Sequence, residues 1–293
     1  MSLIHVVVLA IVQGLAELLP ISSSAHVVVA EKLMGLDPSA PALTLLLVML
    51  HTGTMFAVIA YFWRQWRLTY FASREAFTRF AVHGVIATAI TGIVGYYGLS
   101  KLVVRVIFPG SEHADVEQLF SHLELIAPAL FAVGILIVVS DAFARRAARL
   151  GPEKFRPRGE MSLNQAAVIG VAQAVALPFR GFSRSGATIS AGMLAGVDKV
   201  TAEAFSFALA VVLTPPVVGR EALRLWKNRA SLPHGALQSD IELSLIGGLL
   251  AFIAGLIALK WLSAWLERGR WVYFGVYCIV AAAVVAALYL SGF

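Results

Sequence analysis

Charge is scarce in this 293-residue chain. Asp, Glu, Lys and Arg make up only 14% of it, where soluble domains carry about 25%. Apolar residues fill 59%. That combination excludes a soluble enzyme, a disordered tail and a secreted disulfide scaffold, and leaves a polytopic membrane protein. Cysteine is nearly absent. The single one, Cys278, lies inside an apolar run and has no partner for an internal disulfide, so it reads as packing filler. Lys and Arg are missing before Lys32. The first apolar run therefore lacks the basic start of a signal peptide, and Gln13 and Glu17 inside it argue the same way. The net charge of +6 reads as basic cytoplasmic loops rather than a nucleic-acid surface.

A helix needs roughly 20 apolar residues to cross the hydrocarbon. Six runs meet that length, at about 42–63, 80–99, 123–142, 201–219, 242–263 and 271–291. Two more apolar stretches, about 3–34 and 163–196, are interrupted by Pro, Ser and Gly. Each of their halves is too short to span. Irregular backbone at membrane depth must be shielded by protein, so both stretches are expected to be re-entrant helix–loop–helix hairpins. Trp63, Trp66, Trp226, Trp261, Trp265 and Trp271 fall near span ends and read as an interfacial belt. Gly247, Gly248 and Gly255 read as close-packing positions between helices.

Loop charge orients the chain. Arg64, Arg67, Arg74 and Arg79 crowd 64–79, and six cations from Arg145 to Arg158 crowd 143–160. Arg268 and Arg270 follow the fifth span, whereas 109–122 carries Glu112, Asp115 and Glu117. The positive-inside rule puts the three basic loops in the cytoplasm and 109–122 outside. The basic stretch Arg220–Arg229 runs against this scheme. With three spans between them, the two hairpins enter from opposite sides, the first from outside. They are also alike in sequence: each has Gln on the first helix, Pro near the break, then Ser-x-Ser. The reading is an all-α integral membrane protein, one membrane domain over 1–293. It is an inverted repeat, with halves at about 1–122 and 160–291. Such repeats place a site at the midplane, between broken helices.

Ionisable residues inside a membrane segment are costly, and each is a functional candidate. Gln13 and Glu17 share a helix face at i and i+4. Pro20 ends that helix, and Ser22, Ser23, Ser24 and His26 follow. The second hairpin carries Ser183, Arg184, Ser185 and Thr188. Helix N-termini offer N–H groups and a positive dipole end to an anion, and Arg grips phosphate bidentately. The two N-termini are expected to converge on one anionic group, and a diphosphate suits this set better than a carboxylate. Glu17, helped by Gln13, suits a divalent metal, which takes one or two carboxylates plus phosphate oxygens. His26 suits acid–base work, Ser22 or Ser23 nucleophilic attack, and Arg184 charge stabilisation. Glu124, Asp141 and Glu203 lie at span ends and read as interfacial. His51, mid-span, is read equally well as cavity-facing or as helix packing.

Two motifs carry a resemblance. Gln13-Gly-Leu-Ala-Glu17 followed by Pro20-Ile-Ser22-Ser23-Ser24-Ala-His26 resembles the (E/Q)xxxE and P-x-S-S-x-x-H segments of the undecaprenyl-diphosphate phosphatases, also called bacitracin-resistance proteins. Gly181-Phe-Ser183-Arg184-Ser185-Gly-Ala-Thr188 resembles that family's PGxSRSxxT motif. The segments at 62–64 and 203–207 add to the likeness, which runs along nearly the whole chain. The resemblance implies hydrolysis of undecaprenyl diphosphate to the monophosphate and phosphate. This recycles the lipid carrier of cell-wall synthesis, in a bacterial inner membrane, with the site facing the periplasm. It implies dependence on a divalent cation, Mg²⁺ or Ca²⁺. Glu17 and Gln13 correspond to the metal-associated pair. Ser22, Ser23 and His26, with Glu17, correspond to the catalytic group, and Arg184, Ser183, Ser185 and Thr188 to the phosphate-binding set. Gln13 stands where many members have Glu, and Arg180 where the second motif has Pro. The expected partners are a polyprenyl diphosphate lipid and the bilayer, without nucleic acid; a homodimer stays open as the assembly. The rival reading is a transporter or flippase for an anionic, phosphorylated lipid, which needs an anion cradle but no nucleophile. A further rival is a homologue without activity.

Overall fold

The structure is a computed structural model that describes residues 1–37, 40–107, 123–149, 160–227 and 236–291. It is helical, with no strand among the described residues. In chain order the helices are α1 (Leu3–Leu18), α2 (Ser23–Leu33), α3 (Pro41–Thr69) and α4 (Arg74–Ile90). A π-helical stretch (Thr91–Ser100) continues α4 into α5 (Lys101–Ile107). Then come α6 (Leu123–Arg149), α7 (Leu163–Ala176), α8 (Arg184–Leu194), α9 (Lys199–Lys227), α10 (Ala236–Glu267) and α11 (Val272–Leu290).

Among the described residues, six helical stretches are long and apolar enough to cross a membrane. They are Pro41–Thr69, Arg74–Ile107, Glu124–Arg149, Lys199–Leu223, Gln238–Glu267 and Val272–Leu290. Each overlaps one expected run. Most extend further, because helical hydrogen bonding continues into polar ends whose Arg and Lys stems can snorkel. The two interrupted stretches fold as short helix pairs, α1 packed on α2 and α7 packed on α8. At 16 and 14 residues, α1 and α7 fall short of the hydrocarbon thickness.

Serine starts the short helices. Ser2 accepts from the His5 N–H at the head of α1, and Ser162 forms a capping box with Gln165 at the head of α7. Helix α8 ends where Gly196 turns left-handed at φ +80°, the usual stop signal of a helix. The expectations placed on 109–122 and on Lys154, Arg156, Arg158 and Arg229 fall outside the described residues.

The chain packs as two units, each drawn from three separate stretches of sequence. The first comprises Met1–Leu19, Ser23–Trp63 and Phe207–Leu262. Its core joins Val6, Leu9 and Ala10 of α1 with Val27 of α2, Leu43, Leu46 and Leu50 of α3, and Ala251 of α10. Glycines bring these backbones together. A Cβ on Gly53 would sit 2.1 Å from the Gly248 carbonyl oxygen, and one on Gly14 would sit 2.8 Å from that of Ala251. Small residues are how helices associate when lipid offers no hydrophobic drive.

The second unit comprises Pro20–Ser22, Arg64–Ser206 and Ser263–Phe293. Here α6 lies along α11, with Gly134 against the Gly275 carbonyl and Gly275 against that of Gly134. The π-helical stretch packs on α7, where Gly95 meets Ala174.

Burial corrects part of the tryptophan belt. Trp63 and Trp261 are exposed, as an interfacial belt requires. Trp66 and Trp271 are core residues instead. The Trp66 indole donates to the Ala204 carbonyl at 3.2 Å, and that of Trp271 to the Ser140 and Ser190 hydroxyls at 3.2 Å each. Asp141 and Glu203 are likewise enclosed by protein rather than interfacial. Asp141 takes a 2.6 Å hydrogen bond from Arg145, and Glu203 one of 2.6 Å from Ser263. Glu124 is exposed. Cys278 is buried as expected and donates to the Pro20 carbonyl at 3.4 Å.

Candidate functional site

The first cluster is built on the break between α1 and α2. Helix periodicity brings Gln13 under Glu17, and the Gln13 amide nitrogen donates to Glu17 Oε2 at 3.2 Å. Pro20 has no N–H to continue α1. The chain then reverses through Ser22, the one non-glycine residue with positive φ among the described residues, at +68°. A left-handed backbone is costly for a residue with a Cβ and marks a constrained position. Ser22 is 5% exposed.

The reversal starts α2 at Ser23, whose hydroxyl donates to the same Glu17 Oε2 at 2.5 Å. His51, from α3, brings its Nε2 to within 4.0 Å of that oxygen. Its Nδ1 lies 2.8 Å from the Leu47 carbonyl oxygen. One carboxylate oxygen thus gathers Gln13, Ser23 and His51. His26 stands half-buried one turn along α2 from Ser23. The first turn of α2 also presents backbone N–H groups and a positive dipole end.

This donor set bears on the expected metal. Among the described residues no three or more His, Cys, Asp or Glu side chains come together as a metal cluster. Glu17 supplies one carboxylate, and Gln13 turns its amide nitrogen toward it. A hard cation such as Mg²⁺ is commonly held by one or two carboxylates together with substrate phosphates and water. The residues fit a cation shared with a diphosphate, not a standing all-protein cage.

The second cluster is the head of α8. Gly181 turns with φ +103°, and a Cβ there would sit 2.5 Å from the Ile126 carbonyl oxygen. Only glycine suits both conditions. Ser183 caps the helix by accepting from the Gly186 N–H at 3.2 Å, and its hydroxyl lies 3.4 Å from that of Ser185. Arg184 opens the helix, half-buried. The Thr188 hydroxyl donates to the Arg184 carbonyl at 2.8 Å and shares a 2.5 Å hydrogen bond with Ser206 of α9. Thr188 is 0% exposed. It ties α8 to α9 and fixes the turn that carries Arg184. Arg180 is half-buried in the loop between α7 and α8.

The expected residues therefore group as two sets, Gln13–Glu17–Ser23 and Ser183–Arg184–Ser185–Thr188. His51 joins the first and Ser206 the second. The sequence left His51 open between two readings, and Ser206 was visible only as part of the 203–207 segment. Gln173, set against Gln13 by the sequence likeness of the two interrupted stretches, lies in α7. Its amide donates to the buried Thr91 hydroxyl at 3.0 Å, a structural link.

Comparison with known proteins covers both clusters. The family model described as "Bacitracin resistance protein BacA" matches residues 6–284. The chain is similar to "Undecaprenyl-diphosphatase 2" of Acinetobacter baylyi, 52% identical over 98% of each chain. It is similar to "Undecaprenyl-diphosphatase 2" of Burkholderia ambifaria, 35% identical over 96% of this chain and 95% of that one. It is also similar to "Undecaprenyl-diphosphatase" of Thermodesulfovibrio yellowstonii, 31% identical over 98% of each.

Proposed function

The chain belongs to the bacitracin resistance protein BacA family, and from that membership we propose how its residues divide the work. The protein is a multi-pass membrane hydrolase. It converts undecaprenyl diphosphate to undecaprenyl phosphate and inorganic phosphate, returning the lipid carrier to cell-wall synthesis. The observation that carries the chemical reading is the 2.5 Å hydrogen bond from Ser23 to Glu17.

Phosphoryl transfer is mostly positioning and charge stabilisation. Ser23 Oγ attacks the terminal phosphorus, and its proton passes to Glu17. The bridging P–O bond breaks, and its electron pair leaves on undecaprenyl phosphate. His26, one turn from Ser23, serves as the acid for that oxygen. Glu17 passes the serine proton through solvent back to His26, and water then attacks the phosphoserine phosphorus. The Ser23 Oγ–P bond breaks, one water proton returns to Oγ, and inorganic phosphate departs.

Arg184 holds the phosphate as a fixed planar cation. Ser183 and Ser185 shape the head of α8, whose positive dipole end favours an anion. Glu17, steadied by Gln13, is the carboxylate that would hold a Mg²⁺ or Ca²⁺ ion. When bound, such an ion would supply neutralising charge for the transferring group.

The pairs α1–α2 and α7–α8 are re-entrant hairpins of an inverted repeat, each too short to span. The protein sits in the bacterial inner membrane with its site open to the periplasm. The test is phosphate release from undecaprenyl diphosphate by purified protein in detergent, with Mg²⁺ or Ca²⁺ and then with chelator. Metal-dependent release supports the reading. Folded protein that moves a phosphorylated lipid between leaflets of a vesicle but releases no phosphate favours the transporter.

A further inference from the structure

His51 lies outside the two sequence motifs, yet it faces the reacting pair. Its Nδ1 is 2.8 Å from the Leu47 carbonyl oxygen. A carbonyl can only accept, so Nδ1 carries the hydrogen and the ring is locked against rotation. In the neutral ring this makes Nε2 an acceptor. Nε2 stands 4.0 Å from Glu17 Oε2, too far for a direct hydrogen bond. The imidazole is 44% exposed and the Glu17 side chain 19%, so the space before them is open to solvent-sized groups.

Two acceptors at this spacing suit one water. A water that donates a bond of about 2.8 Å to each of two acceptors, near its tetrahedral angle, sets them about 4.4 Å apart. We propose that His51 Nε2 and Glu17 Oε2 together hold the water that hydrolyses the phosphoserine. The proposal rests on the reading of Ser23 as nucleophile and adds a residue to its second step.

The order of events agrees with the geometry. In the resting protein the Ser23 hydroxyl occupies Glu17 Oε2 at 2.5 Å. Once Ser23 is phosphorylated it has no hydrogen left to donate. Glu17 gives up the proton it took from Ser23, which returns through solvent to His26. Its oxygen can then accept from the water, with Nε2 taking the other hydrogen. The water oxygen is thereby turned toward the phosphorus on Ser23. It bonds to that phosphorus as the Oγ–P bond breaks. The water proton on the Glu17 side passes through the carboxylate to Oγ, and the second stays with the phosphate as it leaves. His51 holds the water and takes no net proton.

The test is rapid-quench kinetics of full-length wild type, His51→Leu, His51→Gln and Ser23→Ala on undecaprenyl diphosphate in detergent, with intact-protein mass measured on the quenched samples. His51→Leu removes the acceptor. It should give a burst of undecaprenyl phosphate about equal to the enzyme, then turnover slowed about 100-fold, with the added mass of a phosphate on Ser23. A burst of normal rate also proves the variant folded. His51→Gln keeps an acceptor oxygen and should recover most of the turnover. Wild-type turnover in both His51 variants overturns the proposal. So does equal slowing of burst and steady state. If Ser23→Ala is dead while His51→Leu turns over normally, only the role of His51 falls. If Ser23→Ala turns over like wild type, the covalent reading itself falls, and this step with it.

Discussion

The Ser23 hydroxyl meets Glu17 Oε2 at 2.5 Å across the break between α1 and α2. Six residues of sequence separate them, and the reversal at Pro20–Ser22 closes that separation. The contact depends on backbone geometry as much as on side chains.

Ser22 and Ser23 should behave differently although they are adjacent. Ser22 adopts φ +68°, a region that glycine enters without steric cost. Ser22→Gly should keep at least a third of wild-type kcat and fold at least as stably. Ser23→Ala should lose turnover by at least about 1,000-fold, because it removes the proposed nucleophile. Phosphate-release kinetics on both variants check this. Loss of activity in Ser22→Gly alone would transfer the chemistry to Ser22.

In the proposed mechanism Arg184 acts through shape as well as charge. Arg184→Lys keeps the charge but loses the planar fork, so KM should rise about 10-fold or more with the protein still folded. Ser183→Ala removes the cap on the Gly186 N–H and should cost about 1 kcal/mol of stability. Substrate titrations and thermal unfolding in detergent separate the two effects. An unchanged KM in Arg184→Lys would remove Arg184 from the phosphate.

Gly53 is a packing position. Its Cβ would sit 2.1 Å from the Gly248 carbonyl oxygen, and a backbone oxygen cannot swing aside. Gly53→Ala should force α3 and α10 apart and cost roughly 1–3 kcal/mol. Gly84 has nothing within 4 Å of the same point, and Gly84→Ala is the control. A drop in unfolding temperature for Gly53→Ala, with none for Gly84→Ala, is the expected pattern.

Much of the fold was legible because bilayer thickness imposes a length on every span. The six apolar runs and the two broken stretches follow from that alone. Span ends were less legible, since α4 begins at Arg74, ahead of the apolar run at 80. Contacts distant in sequence were illegible. Trp271 looks like a belt residue until Ser140 and Ser190 are seen to hold its indole. Glu203 looks interfacial until Ser263, 60 residues on, donates to it. Within the site, Gln13 and Glu17 were legible through i,i+4 spacing, and the serines and Arg184 through the motif repeat. His51 was ambiguous because α3 alone does not say which residue it faces.

Orientation is open to chemical labelling. The proposed topology puts Asp37 outside and Ser73 in the cytoplasm, and both are exposed. In a Cys278→Ala background, Asp37→Cys should react with an impermeant maleimide in intact cells. Ser73→Cys should react only after permeabilisation. The reverse pattern would invert the topology and turn the first hairpin toward the cytoplasm.

The most direct measurement is kcat for Ser23→Ala, Glu17→Gln and the double variant, on undecaprenyl diphosphate under saturating substrate. Residues that act as one unit are strongly non-additive. The account predicts that each single variant loses about as much as the double. Losses that multiply in the double variant, or full turnover in either single variant, would contradict a Ser23–Glu17 pair at the centre of the reaction.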